Sequence, residues 1–193
     1  MTMFKHLLSR AALAAALLAG SCAAWAGPTY HVSLDTAASS GDGYLQMDFL
    51  AFGNPDPLSA TLTNLEGAFT GMPALDNVAV GTDGALTFNN SAFSEFFQLI
   101  ALGGLFSFDL SFDGTPAGVG STGFTVHLLD GMGEYLSFQA VQIALDAEAT
   151  TVSVDGAIAS VTPIAADVPE PADWAMLVTG LGLMGFTLRR RVR

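Results

Sequence analysis

Phe106, Phe108, Leu110 and Phe112 alternate with Ser107, Asp109 and Ser111. A strict period of two puts every aromatic or aliphatic side chain on one face, which predicts a half-buried strand. The pattern recurs. Leu45, Met47, Phe49 and Ala51 alternate with Gln46, Asp48 and Leu50, and Ala60 to Leu65 alternates again. Tyr30 to Leu34 reads as a first short strand, and Phe124–Leu129, Tyr135–Phe138, Val141–Leu145, Thr151–Val154 and Ala157–Thr162 as later ones. Around Ala92 to Leu102 the placing of Phe93, Phe96, Phe97 and Ile100 also suits a helical period. The stretch is short and aromatic, so a strand over Phe96–Ala101 is the preferred reading.

Turn chemistry separates these runs. Asp-Gly occurs at Asp42-Gly43, Asp83-Gly84, Asp113-Gly114, Asp130-Gly131 and Asp155-Gly156, a pair that supplies the positive φ of tight hairpin turns. About nine short strands at this spacing predict an all-β fold over residues 27–162, a two-sheet antiparallel sandwich or jelly roll. Its core would be rich in phenylalanine, whose large buried area stands in for disulfides.

Charge narrows the partners. The chain has 193 residues and a formal net charge of −12, and its six basic residues are Lys5, Arg10, Arg189, Arg190, Arg191 and Arg193. Of the 18 acids, all but Glu170 and Asp173 fall between Gly27 and Val168, a span without Lys or Arg. Nucleic-acid affinity comes from cationic side chains displacing counterions, so this body excludes nucleic acid as a partner.

The two ends carry addresses. Lys5 and Arg10 precede an apolar Leu/Ala run from Ala11 to Gly20, and Ala24-Trp25-Ala26 places small residues where signal peptidase needs them. Residues 1–26 therefore read as a secretory signal cleaved between Ala26 and Gly27. Leu18-Ala19-Gly20-Ser21-Cys22 offers a lipoprotein signal as a second reading, although that motif normally has a larger aliphatic where Ala19 stands. Ordinary cleavage leaves a mature chain without cysteine, hence without disulfides or thiolate metal ligands.

At the other end, residues 163–173 form a linker containing Pro169-Glu170-Pro171, whose prolines stop any preceding strand. Residues 174–188 are apolar apart from Thr179 and Thr187 and run into Arg189, Arg190, Arg191 and Arg193 in the basic tail 189–193. As a helix those 15 residues measure about 22 Å at ~1.5 Å per residue. Interfacial Trp174 and snorkelling arginines extend that reach towards a bilayer core. Gly180, Gly182 and Gly185 provide a small-residue face for a partner helix. The arginines stop transfer and stay cytoplasmic under the positive-inside rule, which puts residues 27–168 outside the inner membrane. The signal peptide demands the same orientation.

The three parts in this order, over the 26 residues from Val168 to Arg193, resemble the PEP-CTERM sorting signal of exosortase substrates. The resemblance implies processing near the motif by a membrane-embedded exosortase, followed by release or re-anchoring at the cell surface. It also implies a Gram-negative, biofilm- or floc-forming host with exopolysaccharide loci. Tyr30 to Thr36, Gly43-Tyr44-Leu45, Leu105 to Asp109 and Leu128-Leu129-Asp130 resemble a recurrent set of small secreted PEP-CTERM proteins of unassigned activity.

Candidate chemistry in the body is sparse. His31 and His127 lack the i, i+4 spacing of a zinc helix, and strand histidines of this kind are usually surface or edge residues. There is no Gly-x-Ser-x-Gly elbow and no cation to clamp a phosphate. Sixteen acids allow a glycosidase carboxylate pair on paper, but a chain this small, with Trp174 at its membrane end, lacks an aromatic cleft. No enzymatic activity and no cofactor is expected. Asp109, Asp113, Asp130 and Glu134 are the candidate ligands for a weak structural calcium, as hard cations favour oxygen donors. The simpler role for these acids is to solvate outer faces and guard edges. The leading expectation is a non-enzymatic surface or extracellular-matrix protein associated with exopolysaccharide, its partners in transit being signal peptidase, the inner membrane and exosortase. The alternative is a carbohydrate- or calcium-binding β-sandwich module with Tyr30, Tyr44 or Tyr135 as stacking platforms, although strand tyrosines more often pack in cores.

Overall fold

In a computed structural model, residues 26–165 are described, Thr115 and Ala117 excepted. Residues 1–25 of the secretory signal, with Ala24 of its cleavage site, Pro169-Glu170-Pro171, the apolar stretch 174–188 and the four terminal arginines lie outside those residues, whereas Ala26 and Gly27 of the cleavage site are described.

The described residues form twelve strands in two antiparallel six-stranded sheets. The first sheet contains β1 (Ala26–Asp35), β3 (Ser59–Glu66), β5 (Val78–Val80), β6 (Leu86–Asn89), β8 (Leu105–Asp113) and β12 (Ala159–Ile164), in the order β12-β1-β8-β3-β6-β5. The second contains β2 (Gly41–Pro55), β4 (Ala74–Asp76), β7 (Ser94–Leu102), β9 (Gly118–Asp130), β10 (Tyr135–Asp146) and β11 (Thr150–Val154), in the order β11-β10-β9-β2-β7-β4. The sandwich expectation holds at the level of two packed antiparallel sheets. Ser94–Leu102 is strand, as preferred over helix.

One face of each sheet is buried against the other, as period-two patterning requires. Phe106, Phe108, Leu110 and Phe112 of β8 are at most 3% exposed, while Ser107, Asp109 and Ser111 face outward. From the opposite sheet Phe124 meets them. Its ring centroid lies 6.5 Å from Phe108, 6.4 Å from Phe112 and 5.6 Å from Phe88, with edge-on geometry in all three pairs. Tyr30, 9% exposed, packs edge-on against Phe112 within this core. Where polar groups enter the interior, they are paired. Asn90 donates to the Asp56 carbonyl and to Thr122 Oγ1, and accepts the Leu58 N–H.

The Asp-Gly pairs work differently from expectation. Positive φ appears at Gly84 and Gly114, but Gly133 rather than Gly131 takes it in the loop after β9. Asp42-Gly43 lies inside β2. There a side chain is excluded because a Cβ on Gly43 would sit 2.6 Å from the Leu129 carbonyl oxygen. The recurrent element is the aspartate itself. Asp35, Asp83, Asp130, Asp146 and Asp155 each accept, at Oδ1, the backbone N–H two residues on. Apart from Asp83, which Gly84 follows at positive φ, these Asx turns reverse the chain without a left-handed residue at the next position.

Four strands form sheet edges. β4 and β5 are three residues each, and β12 contains Pro163, both devices that blunt an edge. β11, Thr-Thr-Val-Ser-Val, is longer and uncharged.

Candidate binding face on the second sheet

The outward face of the second sheet is ordered in rows by its register. Ser153 of β11 pairs with Gln142 of β10, Gln142 with Thr125 of β9, Thr125 with Asp48 of β2, Asp48 with Glu95 of β7 and Glu95 with Asp76 of β4. The row is polar across all six strands. The parallel row one side-chain period away runs from His127 through Gln46 and Phe97 to Ala74. Beyond it come Tyr135, Leu129, Tyr44 and Leu99. A polar track is thus flanked on one side by two rows carrying aromatic rings.

Local irregularity in β10 builds the aromatic part. Between the pairs Ser137–Leu128 and Val141–Val126, four steps along β10 match two along β9, so the strand bulges by two residues. Gln139, at the bulge, has φ +60°, uncommon for a residue with a Cβ. Its N–H donates to Nδ1 of His127 at 3.2 Å. The turn between β11 and β12 braces the same point, with Ser137 Oγ donating to Asp155 Oδ2 at 2.7 Å and the Asp155 N–H donating to the Ala140 carbonyl. Bulges commonly re-aim a side chain near a functional surface, and this one lays Phe138 over His127, with centroids 4.9 Å apart. Tyr135 closes the group at 5.6 Å from His127 and 5.0 Å from Phe138.

His127 therefore points outward and is still buried, at 6% exposure, and outward-facing Leu129 is likewise covered, at 7%. The rings above them are open to solvent, Tyr135 at 51% and Phe138 at 61%. With Nδ1 accepting from a backbone amide, Nε2 is the His127 nitrogen on the side of Asp48, whose Oδ2 lies 3.2 Å away. Gln46 Nε2 donates to Glu95 Oε1 at 2.8 Å and, more weakly, to Asp48 at 3.3 Å. Burial first, then the neighbouring Asp48 carboxylate, pushes the Glu95 carboxyl above its ordinary range, against the opposing effect of the Gln46 hydrogen bond. On the far side of this network Tyr44 stacks on Phe97, 4.9 Å and 17° between rings.

Of the three candidate tyrosines, Tyr44 and Tyr135 share a row on this face, and Tyr30 belongs to the core. The four candidate calcium ligands do not converge. Asp109 and Asp113 sit on β8 in the first sheet, whereas Asp130 ends β9 in the second and Glu134 lies in the following loop. Asp109 accepts from Asn64 Nδ2 and pairs with His31 Nδ1, both at 2.7 Å, and these contacts, Asn64 foremost, hold its carboxyl below the usual range. Asp113 caps the Gly114 N–H, and Asp130 takes the N–H groups of Met132 and Glu134. Among the described residues, no three His, Cys, Asp or Glu side chains are grouped to hold a metal.

Elsewhere the first sheet shows a hydroxyl-rich outer row, Thr29, Ser111, Thr61 and Thr87. A cleft of about 480 Å³ at its side is lined by Thr63, Asn64, Leu65, Asp83, Gly84 and Ala85. No aromatic side chain lines it, and Asp83 is engaged with the Ala85 N–H. His127, Gln46, Phe97 and Phe138 escaped the sequence reading as a group. Their alternation with core residues was visible, but the register and bulge that unite them were not. Comparison with family models, with curated proteins and with solved structures finds no match to this chain.

Proposed function

We propose that the chain is an exported, exosortase-sorted, non-enzymatic protein of the cell surface or extracellular matrix, associated with exopolysaccharide. Two addresses support the sorting half of this reading: the charged-apolar-small order of residues 1–26, and Pro169-Glu170-Pro171 followed by an apolar stretch and four arginines. In this reading signal peptidase removes residues 1–26, the inner membrane holds the tail in transit, and exosortase acts near the Pro-Glu-Pro motif.

The observation that carries the association half is the mixed outer face of the second sheet. Open rings at Tyr135 and Phe138 stand beside a polar row six strands wide. Side chains placed this way cover little of their own core and offer flat apolar area next to hydrogen-bonding groups. The carbohydrate-binding module is the more specific form of the same reading, favoured by Tyr44 and Tyr135 lying in one row.

Fractionating cells with and without the exosortase, with mass spectrometry of the mature termini, tests the reading. The expected result is a new N-terminus at Gly27, exosortase-dependent loss of the basic tail, and recovery of the chain with the matrix or cell surface. A chain retained in the cytoplasm with both termini intact overturns it.

A further inference from the structure

The geometry points to a specific ligand for the outer face of the second sheet: an uncharged, extended polysaccharide chain laid across the strands along the His127–Gln46–Phe97 row, between the Tyr135–Tyr44 row and the polar row. The inference rests on the matrix association proposed above and names the chemistry that the face would select.

Three features choose the occupant. The first is the pairing of surfaces. A pyranose ring has an apolar C–H face and a rim of hydroxyls, which matches rings at Tyr135, Phe138 and Tyr44 beside amides and carboxylates at Gln142, Gln46, Asp48 and Glu95. Tyr135 and Tyr44 sit two strands apart in one row. Two strand spacings are about 10 Å, close to the span of two sugar rings in an extended chain.

The second feature is charge. No Lys or Arg occurs between Gly27 and Val168, and the polar row contains Asp48, Glu95 and Asp76. A polyuronate or sulfated chain would meet three carboxylates and no counter-charge, so anionic glycans are disfavoured.

The third feature excludes a second copy of this chain as the occupant. The fully buried centre of a protein interface is depleted in charge. The body of a second copy, which has no Lys or Arg between Gly27 and Val168, would bury those carboxylates with nothing to pair them, which is costly. Sugar hydroxyls are hydrogen-bond donors and satisfy carboxylate acceptors while leaving part of them wet. The bulge at Gln139 holds Phe138 and Tyr135 in place before a ligand arrives, so little ordering is required on binding.

The test uses the full chain in detergent, run by native affinity electrophoresis in gels containing hydroxyethylcellulose, laminarin or dextran, with alginate as the anionic comparison. Retardation by at least one neutral glucan and none by alginate is the expected result. Tyr135→Ala and Phe138→Ala should each weaken that retardation about tenfold or more while His31→Ala, on the opposite sheet, leaves it unchanged. Because Tyr135 and Phe138 cover His127 and Leu129, a melt alongside checks that each variant remains folded at the assay temperature. Binding to none of the glucans, equal binding to alginate, or full binding by both ring variants overturns the inference. So does a dimer by sedimentation that Phe138→Ala dissolves, since the face would then be covered by a second copy. A chain recovered with the matrix that binds no glucan removes this inference alone. A chain that never leaves the cytoplasm removes the reading beneath it.

Discussion

Gln139 donates its backbone N–H to Nδ1 of His127 while holding φ at +60°. The contact fixes the imidazole tautomer and shapes the bulge that carries Phe138. Replacing Gln139 tests both parts. Gln139→Gly keeps the N–H and removes the Cβ conflict, so its stability should stay within about 1 kcal/mol of the parent, strain relief offsetting backbone entropy. Gln139→Pro forces φ to about −65° and deletes the donor, and should cost about 3 kcal/mol or more. Chemical denaturation of the pair reads the difference. Equal stabilities would mean that the bulge is not held in this way.

The core hinges on Phe124, the ring met from four sides by Phe49, Phe88, Phe108 and Phe112. Phe124→Ala leaves a cavity between the sheets and should lose about 3–5 kcal/mol. Phe124→Leu, which restores much of the volume, should recover a large share of that loss. A denaturant midpoint series on the two variants checks the order.

Two carboxylates predict opposite pH effects. Glu95 is raised above its ordinary value, so stability falls as the pH rises from the unfolded value through the folded one, and the full cost is present above it. Glu95→Gln should raise the thermal midpoint at pH 7, and the gain should vanish below about pH 4, where the carboxyl is protonated folded and unfolded alike. Asp109 is lowered, so its contribution is present above the unfolded value and is lost as the pH falls through the folded one. Asp109→Asn should therefore lower the midpoint at pH 7 and not at pH 2. Solvent screening keeps that loss to a few tenths of a kcal/mol. Melts across pH 2–8 that moved both variants the same way would contradict these assignments.

Salt gives an independent check on the charge imbalance. Carboxylates without Lys or Arg partners repel one another, and a Debye length of about 10 Å at 0.1 M salt shortens that repulsion. Sodium chloride should raise the thermal midpoint by a few degrees. Calcium and magnesium at matched ionic strength should then act alike, because Asp109, Asp113, Asp130 and Glu134 are distributed over both sheets. A calcium-specific rise would locate convergent carboxylates that this arrangement lacks.

At the C-terminus, replacing Arg189, Arg190, Arg191 and Arg193 by alanine should impair tail insertion and processing, since the stop-transfer charge is gone. Immunoblots of membrane and secreted fractions read the outcome. Normal processing of the tetra-alanine chain would remove the stop-transfer role.

The two sheets were legible wherever one face is buried, because burial imposes alternation on Leu45 to Phe49 and on Phe106 to Phe112. The short strands β4, β5 and β6 went unread, since three or four residues cannot display a period. Tyr135–Phe138 and Val141–Leu145 read as separate strands and form one, β10, interrupted by the bulge. The binding face was the least legible part. Outward positions carry no patterning constraint of their own. Whether Tyr44, His127 and Tyr135 become neighbours depends on which strands pair and in what register, information that a single chain's periodicity does not hold.

Between Ser137 and Val141 β10 gains two residues on β9, and between Tyr135 and Ser137 it has already gained one. Ser137 and Val141 on either side of the larger shift both point into the core. The aromatic cap over His127 is thus built from two successive register shifts, beyond which Val141, Ile143 and Leu145 still face the core. The sandwich can carry different outer surfaces at this corner without redesign of its interior.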